Sequence, residues 1–236
     1  MTRRLRFILL ESPLELVPRQ LWNHPQVINY AKRFNIEPWQ TLLDKTYHYH
    51  AMASLTRKWK RGRPDIVHVT LLVITESIPA LKGLVEVYIH VIDGRVFRVK
   101  PGTRIPKHLD RFKGLMAQLL HHNQVPPDTE NPLIYKVADT LAEFTKRHGG
   151  IILLHEKGEE KTPREIAREA LETGAPLGIG MFPRGDFQKS TLRKAAKRYR
   201  IHGGIPLKAW TVAAEILCGL ETLLQEAEDK GQRRCS

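Results

Sequence analysis

From Gly150 onward, short apolar runs alternate with amphipathic stretches, and few folds accept that order. Gly150–His155 carries Ile-Ile-Leu-Leu and Pro176–Phe182 carries Leu-Gly-Ile-Gly-Met-Phe, each the length of one buried strand. Between them, Thr162-Pro163-Arg164-Glu165 reads as a capping box with proline at the first helical position, and Gly174 closes the helix. Pro206 opens a last helix, with Leu207, Trp210, Ala214, Leu217, Leu220 and Leu224 on one stripe. Apolar strands separated by helices predict a parallel sheet covered by helices, the α/β class.

The first half is less regular. Arg6–Glu11 reads as a strand stopped by Ser12-Pro13, and residues 14–60 carry helical patches punctuated by Pro18, Pro25 and Pro38. Asp65–Ser77 is a long apolar run that β-branched content would make a strand and Pro64 would make a helix; periodicity does not choose. Leu84–Ile92 alternates, with Val85, Val87, Ile89 and Val91 on one face and Glu86, Tyr88 and His90 on the other. Asp93-Gly94 predicts a two-residue hairpin turn into a partner strand at Arg95–Val99. Leu109–His122 reads as a helix buried along Leu109, Phe112, Met116, Leu119 and Leu120, and Asn123–Pro132 as a polar loop.

Charge narrows the function. The 236 residues include 38 Lys and Arg against 25 Asp and Glu, a net +13, an excess that favours a polyanionic partner through counterion release. It is clustered at residues 57–63, at Arg95–Lys113 and at Arg184–Arg200, which predicts an assembled RNA-binding groove. In the second cluster, Arg104 and Lys107 lie on a loop before a helix and Arg111 within that helix's first turns, so the three can serve one phosphate-facing surface. Gly180 and Gly185 end a predicted parallel strand, where ligands of α/β sheets sit, and His202-Gly203-Gly204-Ile205-Pro206-Leu207 is a similar segment before the last helix. Trp22, Trp39 and Trp210 read as core, and Trp59 as the one aromatic placed to stack on a base.

Other chemistries lack their residues. Two cysteines, Cys218 and Cys235, form no disulfide framework, and the histidines have no metal-ligand spacing. There is no Walker sequence, dinucleotide-binding glycine pattern or nucleophile elbow. The apolar stretch Phe7–Leu10 is too short for a secretion signal, and no run is long enough to span a membrane, so a cytoplasmic location is expected.

Several of these segments together carry a resemblance. Arg63-Pro64-Asp65-Ile66-Val67-His68, Val87-Tyr88-Ile89-His90, Thr103-Arg104-Ile105-Pro106 and Arg111-Phe112-Lys113-Gly114-Leu115-Met116-Ala117-Gln118-Leu119-Leu120-His121 resemble the ribosomal RNA small-subunit pseudouridine N1-methyltransferases. These SPOUT-class enzymes are also described as ribosome biogenesis factors essential for mitotic growth. The likeness runs from the first strand to the last helix, is densest over residues 63–121, and is nearest the archaeal branch at Glu11–Pro18 and Leu43-Asp44.

The resemblance implies a SPOUT-type mostly parallel sheet flanked by helices, a C-terminal trefoil knot, S-adenosylmethionine held by the knot loops, and a homodimer. It also implies a small-subunit rRNA stem-loop as substrate and ribosome assembly proteins as partners, and it favours helix for Asp65–Ser77. One domain then spans residues 1–236, with 12–62 and 84–108 as family-specific extension and insertion. The RNA-contacting positions fall on Arg63, Asp65, Arg104, Lys107 and Arg111. Relatives often carry Arg at position 107, and Lys keeps the charge without the two-pronged geometry. Donor-binding positions fall on Leu153 or Leu154, Gly180, Gly185, and His202, Gly203, Gly204, Ile205, Pro206 and Leu207. The last segment departs from a Ser-Asn-Tyr-Pro-Leu pattern, leaving backbone contacts there. Asp65 is the candidate either to orient Arg63 or to assist loss of the N1 proton. Two other readings share these residues: a non-catalytic RNA-binding assembly factor, and a methyltransferase acting on another base or a ribose.

Overall fold

Leu5–Ser12 forms β1, the strand on which the sheet is built, with alternate side chains buried on two opposite faces. The computed structural model describes residues 3–232; Cys235 lies outside the described residues. β1 pairs in parallel with β2 (Val85–Val91) on one side and β7 (Leu177–Gly180) on the other. β6 (Ile151–Glu160) lies beyond β7, and β8 (Ala195–Arg200) pairs in parallel with β6 at the sheet's edge. On the far side, β3 (Val96–Val99), β5 (Ile134–Ala138) and β4 (Gln124–Val125) add antiparallel, giving the order β4-β5-β3-β2-β1-β7-β6-β8. The expected α/β architecture is present, with one antiparallel wing. Residues 84–108 supply β2 and β3 to that continuous sheet.

Asp65–Ser77 resolves as helix: α3 spans Pro64–Thr75 with Pro64 in its first turn, where its missing N–H costs nothing. α3 covers one sheet face together with α5 (Leu109–His122), α7 (Pro163–Thr173) and α9 (Ala209–Gln232). α6 (Leu141–His148) covers part of the other through Leu141 and Phe144. The capping box of α7 forms as expected, and Gly174 closes the helix at φ +73°. Residues from 12–62 build a smaller core of their own from Val17, Leu21, Val27, Leu43, Ala51, Met52 and Leu55. That region holds α1 (Pro25–Phe34), α2 (Lys45–His48) and several single turns; two further four-residue helices, α4 (Ile78–Leu81) and α8 (Lys189–Leu192), precede β2 and β8.

The structure corrects several local expectations. The Asp93-Gly94 turn is longer than two residues, because the Val91 N–H reaches the Arg95 carbonyl and Gly94 takes φ +104°. The polar face of β2 is buried: Glu86 accepts from Arg6 (3.0 Å), Arg98 (2.9 Å) and the Tyr88 hydroxyl (3.2 Å). Burial pushes the Glu86 carboxyl up, but those guanidinium partners outweigh it and hold the group below its ordinary range. Ala214 is exposed; the buried stripe of α9 is Ala213, Ile216, Leu217 and Leu220, and the helix starts at Ala209, after Pro206. The basic run Arg184–Arg200 contains β8, which cationic edge side chains concealed. Trp39 is 42% exposed rather than core.

α9 crosses α7 closely at Gly219, where an added Cβ would stand 2.7 Å from the backbone of Pro163 and Arg164. Gly219→Ala is therefore expected to cost about 1–3 kcal/mol of stability by forcing the two helices apart. Denaturant unfolding of the two proteins measures it. Among the described residues, no helix is long and apolar enough to cross a membrane, and no cluster of ligating side chains suits a metal ion.

Candidate functional site

Three segments close around one cavity of about 510 Å³ at the carboxyl ends of the parallel strands. They are Leu154–Lys157 within β6, where its register with β8 shifts, Gly180–Phe187 at and beyond the end of β7, and Tyr199–Val212 from β8 into α9; Arg63, just before α3, and Ile66 of α3 complete the wall. Of the donor positions the resemblance implies, Leu154, Gly180, Gly185, Gly204, Ile205, Pro206 and Leu207 line the cavity, whereas Leu153 is buried beneath the sheet. His202 and Gly203 turn away from it. The His202 ring sits 3.1 Å from Glu215, and the Gly203 N–H donates to Glu160 at 2.9 Å. His202, Gly203 and Gly204 all have positive φ, a backbone path that brings Gly204 close to the Glu156 carbonyl.

The walls are not uniform. Leu154, Ile179, Ile201, Leu207 and Trp210 give apolar and aromatic surface, while Glu156, Asp186, Arg184, Arg200 and Lys208 bring both signs of charge. Two of the loops are latched to each other. His155 Nδ1 accepts the Lys157 N–H (3.0 Å), so Nε2 carries the proton and donates to Asp186 Oδ1 at 2.8 Å. Partial burial pushes the Asp186 carboxyl up, but the bonds from His155 and the Phe187 N–H outweigh it and keep it ionised. Trp210, which the sequence pattern places in the core, packs partly buried against that core and also lines the cavity. It opens the helix directly after the 202–207 segment, a position that could have marked it as a wall residue.

The basic clusters are redistributed by pairing. In the second, Arg95 is engaged by Asp93 and the Leu120 carbonyl, Arg98 by Glu86, and Lys113 is buried on Asp44 (3.0 Å) and Asp110 (2.8 Å). Burial pulls the Lys113 amine down, yet the two carboxylates outweigh this and raise it. Arg104, Lys107 and Arg111 remain exposed, and among the described residues their one ion pair is a loose 3.7 Å contact of Lys107 with Glu76. The loop bearing Arg104 and Lys107 is tied to α3, because the His68 ring lies 2.6 Å from the Pro106 carbonyl and stacks on Phe112.

Arg63, immediately before α3, donates two parallel bonds to Asp65, Nε to Oδ1 at 2.8 Å and Nη2 to Oδ2 at 2.7 Å. Asp65 holds the guanidinium above its ordinary value. Both carboxylate oxygens are thus occupied while Arg63 faces the cavity. In the first cluster, Lys60 is buried against Glu11 (2.7 Å) with its ammonium 3.8 Å above the Phe182 ring, and Arg61 is paired with Glu15. Trp59 is 52% exposed and lies beside Gly185.

Fold and site together define an α/β protein with a cavity of mixed polarity at its strand ends, beside an exposed cationic surface. Residues 7–221 match the family described as EMG1/NEP1 methyltransferase, and the chain belongs to that family. It is similar to the ribosomal RNA small subunit methyltransferase Nep1 of Aeropyrum pernix, 52% identical over 93% of this chain and 98% of that one. The protein of the same name from Staphylothermus marinus is 44% identical over 94% of this chain and 97% of its own. Among solved structures, Archaeoglobus fulgidus Nep1 bound to S-adenosylhomocysteine superposes with a TM-score of 0.82 at 32% identity, covering 95% of this chain and all of that one.

Proposed function

We propose that this chain transfers a methyl group from S-adenosylmethionine to N1 of a pseudouridine in small-subunit ribosomal RNA, in the course of small-subunit assembly. The observation that carries the reading is the position of Arg63: it is a wall residue of the strand-end cavity and it stands at the N-terminal end of the helix to which the Arg104–Lys107 loop is tied. RNA-facing cations and donor-facing loops therefore meet at one place.

The cavity suits the donor. Apolar and aromatic walls accept an adenosine, and charges of both signs accept an amino acid's two ends. A small residue at Gly180 keeps space open, since a Cβ there would meet the Phe187 and Phe182 rings at 2.8 and 3.1 Å. S-adenosylmethionine supplies a methyl group on a sulfonium. The chain supplies position: Leu154, Gly180, Gly185 and Gly204–Leu207 hold the donor, and Arg104, Lys107 and Arg111 hold phosphates of the stem-loop. Arg63, kept straight by Asp65, steers the flipped base towards the cavity. A shared cavity of the 154–157, 180–187 and 199–212 segments also supports the trefoil-knotted path, and the same reading includes a homodimer working in the cytoplasm.

Mass spectrometry of an rRNA hairpin, with uridine or pseudouridine at the target, tests the assignment after incubation with enzyme and donor. Methylation confined to pseudouridine is expected; equal methylation of both overturns it. Replacing Arg104, Lys107 and Arg111 together by alanine should weaken hairpin binding and reduce the slope of log affinity against log salt by about 3. Asp65→Asn should lower turnover by less than about tenfold, because both Asp65 oxygens serve Arg63. An essential general base would cost roughly 100-fold or more.

A further inference from the structure

A second cavity, of about 230 Å³, opens on the carboxyl ends of β1 and β2. Glu11, Lys60, Arg61, Ile92, Arg57 and Gln188 are among its walls. It is one side chain away from the first: Lys60 lines it and rests on Phe182, a wall of the larger cavity. Gln188 follows directly on the Gly180–Phe187 segment, and its N–H is fixed by Glu11 at 2.7 Å.

The cavity is nearly charge-balanced. Glu11 is paired with buried Lys60, and Glu15 takes both arms of Arg61. Those four charges cancel in pairs and leave Arg57 as the net positive group. Among the described residues, the Arg57 guanidinium, the Gln188 side-chain amide and the Thr56 hydroxyl make no hydrogen bond within the chain. Ile92 adds an apolar surface. One carboxamide offering a donor and an acceptor, an aliphatic contact from Ile92 and the exposed cation of Arg57 together match a nucleobase with its phosphate. A purely anionic ligand would meet Glu11 and Glu15; an apolar one would strand the amide.

We propose that this cavity receives a second unpaired nucleotide of the RNA loop, next to the methylated one, with Gln188 reading its base edge and Arg57 its phosphate. The proposal rests on the rRNA reading above and adds a specificity site to it. Neighbouring nucleotides of an unstacked strand could then occupy the two cavities, with the Lys60–Phe182 contact between them.

Anisotropy titrations of the full chain with a target hairpin, and with hairpins made abasic at one loop position at a time, test it. Gln188→Ala should weaken the intact hairpin about tenfold, in the range of one lost base contact. One abasic position should produce the same loss in the unsubstituted chain and no further loss in Gln188→Ala. Affinity for S-adenosylhomocysteine, measured by calorimetry, should be unchanged in the variant, which also reports that it is folded. Unchanged hairpin affinity in Gln188→Ala, or losses that multiply at every abasic position, would overturn the assignment. If the unsubstituted chain bound no hairpin, the RNA reading itself would fall, and this site with it.

Discussion

Asp44→Ala should destabilise the chain by about 3–5 kcal/mol, the cost of breaking a buried ion pair from one side. Asp44 and Lys113 are 4% and 3% exposed, and the Lys113 ammonium also lies 4.6 Å from the centre of the Tyr47 ring and 5.3 Å from that of Tyr30. Without Asp44 the amine keeps only the more exposed Asp110, and α2 loses the carboxylate that accepts the Thr46 N–H. For a domain of this size the loss corresponds to roughly 10 °C in Tm, readable by calorimetry. Adding Lys113→Met should return part of it by removing the stranded charge. A double variant no more stable than the single one would mean that the pair itself is not the source. Because this contact pins α5 to the 12–62 region, Asp44→Ala should also weaken RNA binding through Arg111, which sits in the first turn of that helix.

The second large effect is expected at the donor cavity. Gly180→Val should reduce affinity for S-adenosylhomocysteine on the order of 100-fold with little loss of global stability. The added side chain must displace the Phe182 or Phe187 ring, each already closer to the new Cβ than van der Waals contact, at 3.1 and 2.8 Å. Both rings line the cavity, and Phe182 also carries the Lys60 ammonium on its face, so a displaced ring takes up space the ligand needs. Overpacking of this kind costs about 1–3 kcal/mol, which here falls on the ligand. Calorimetric titration measures the affinity and denaturant unfolding the stability. Unchanged affinity would mean that the donor does not touch the Gly180 wall.

Local signals carried much of the outline. The Thr162–Glu165 box and Gly174 fix both ends of α7 because caps are settled by neighbours three or four residues apart. The apolar runs at Ile151–Leu153 and Leu177–Ile179 became buried parallel strands because no polar alternation allowed them a wet face. The paired glycines and the 202–207 segment pointed to the cavity, and the motifs from Arg63 to His121 pointed to the family. β8 is not legible in the sequence, because five of its six residues are Ala, Lys or Arg, a composition common on solvated surfaces.

What tertiary structure alone decided is which charges remain free and which segments meet. Asp110 lies one helical turn before Lys113 and is legible locally, but Asp44 is 69 positions from Lys113 and Glu11 is 49 from Lys60, so no local pattern shows that these two cations are buried and neutralised. The sheet order that inserts β7 between β1 and β6 brings the ends of three distant segments into one cavity. Whether a side chain such as Trp210 lines a core or a cavity depends on what packs opposite it. Helix caps and strand alternation are energies of nearby residues and can be read along the chain. Ion pairing and cavity closure are energies of contacts made only after the chain has folded back on itself, and those belong to the structure.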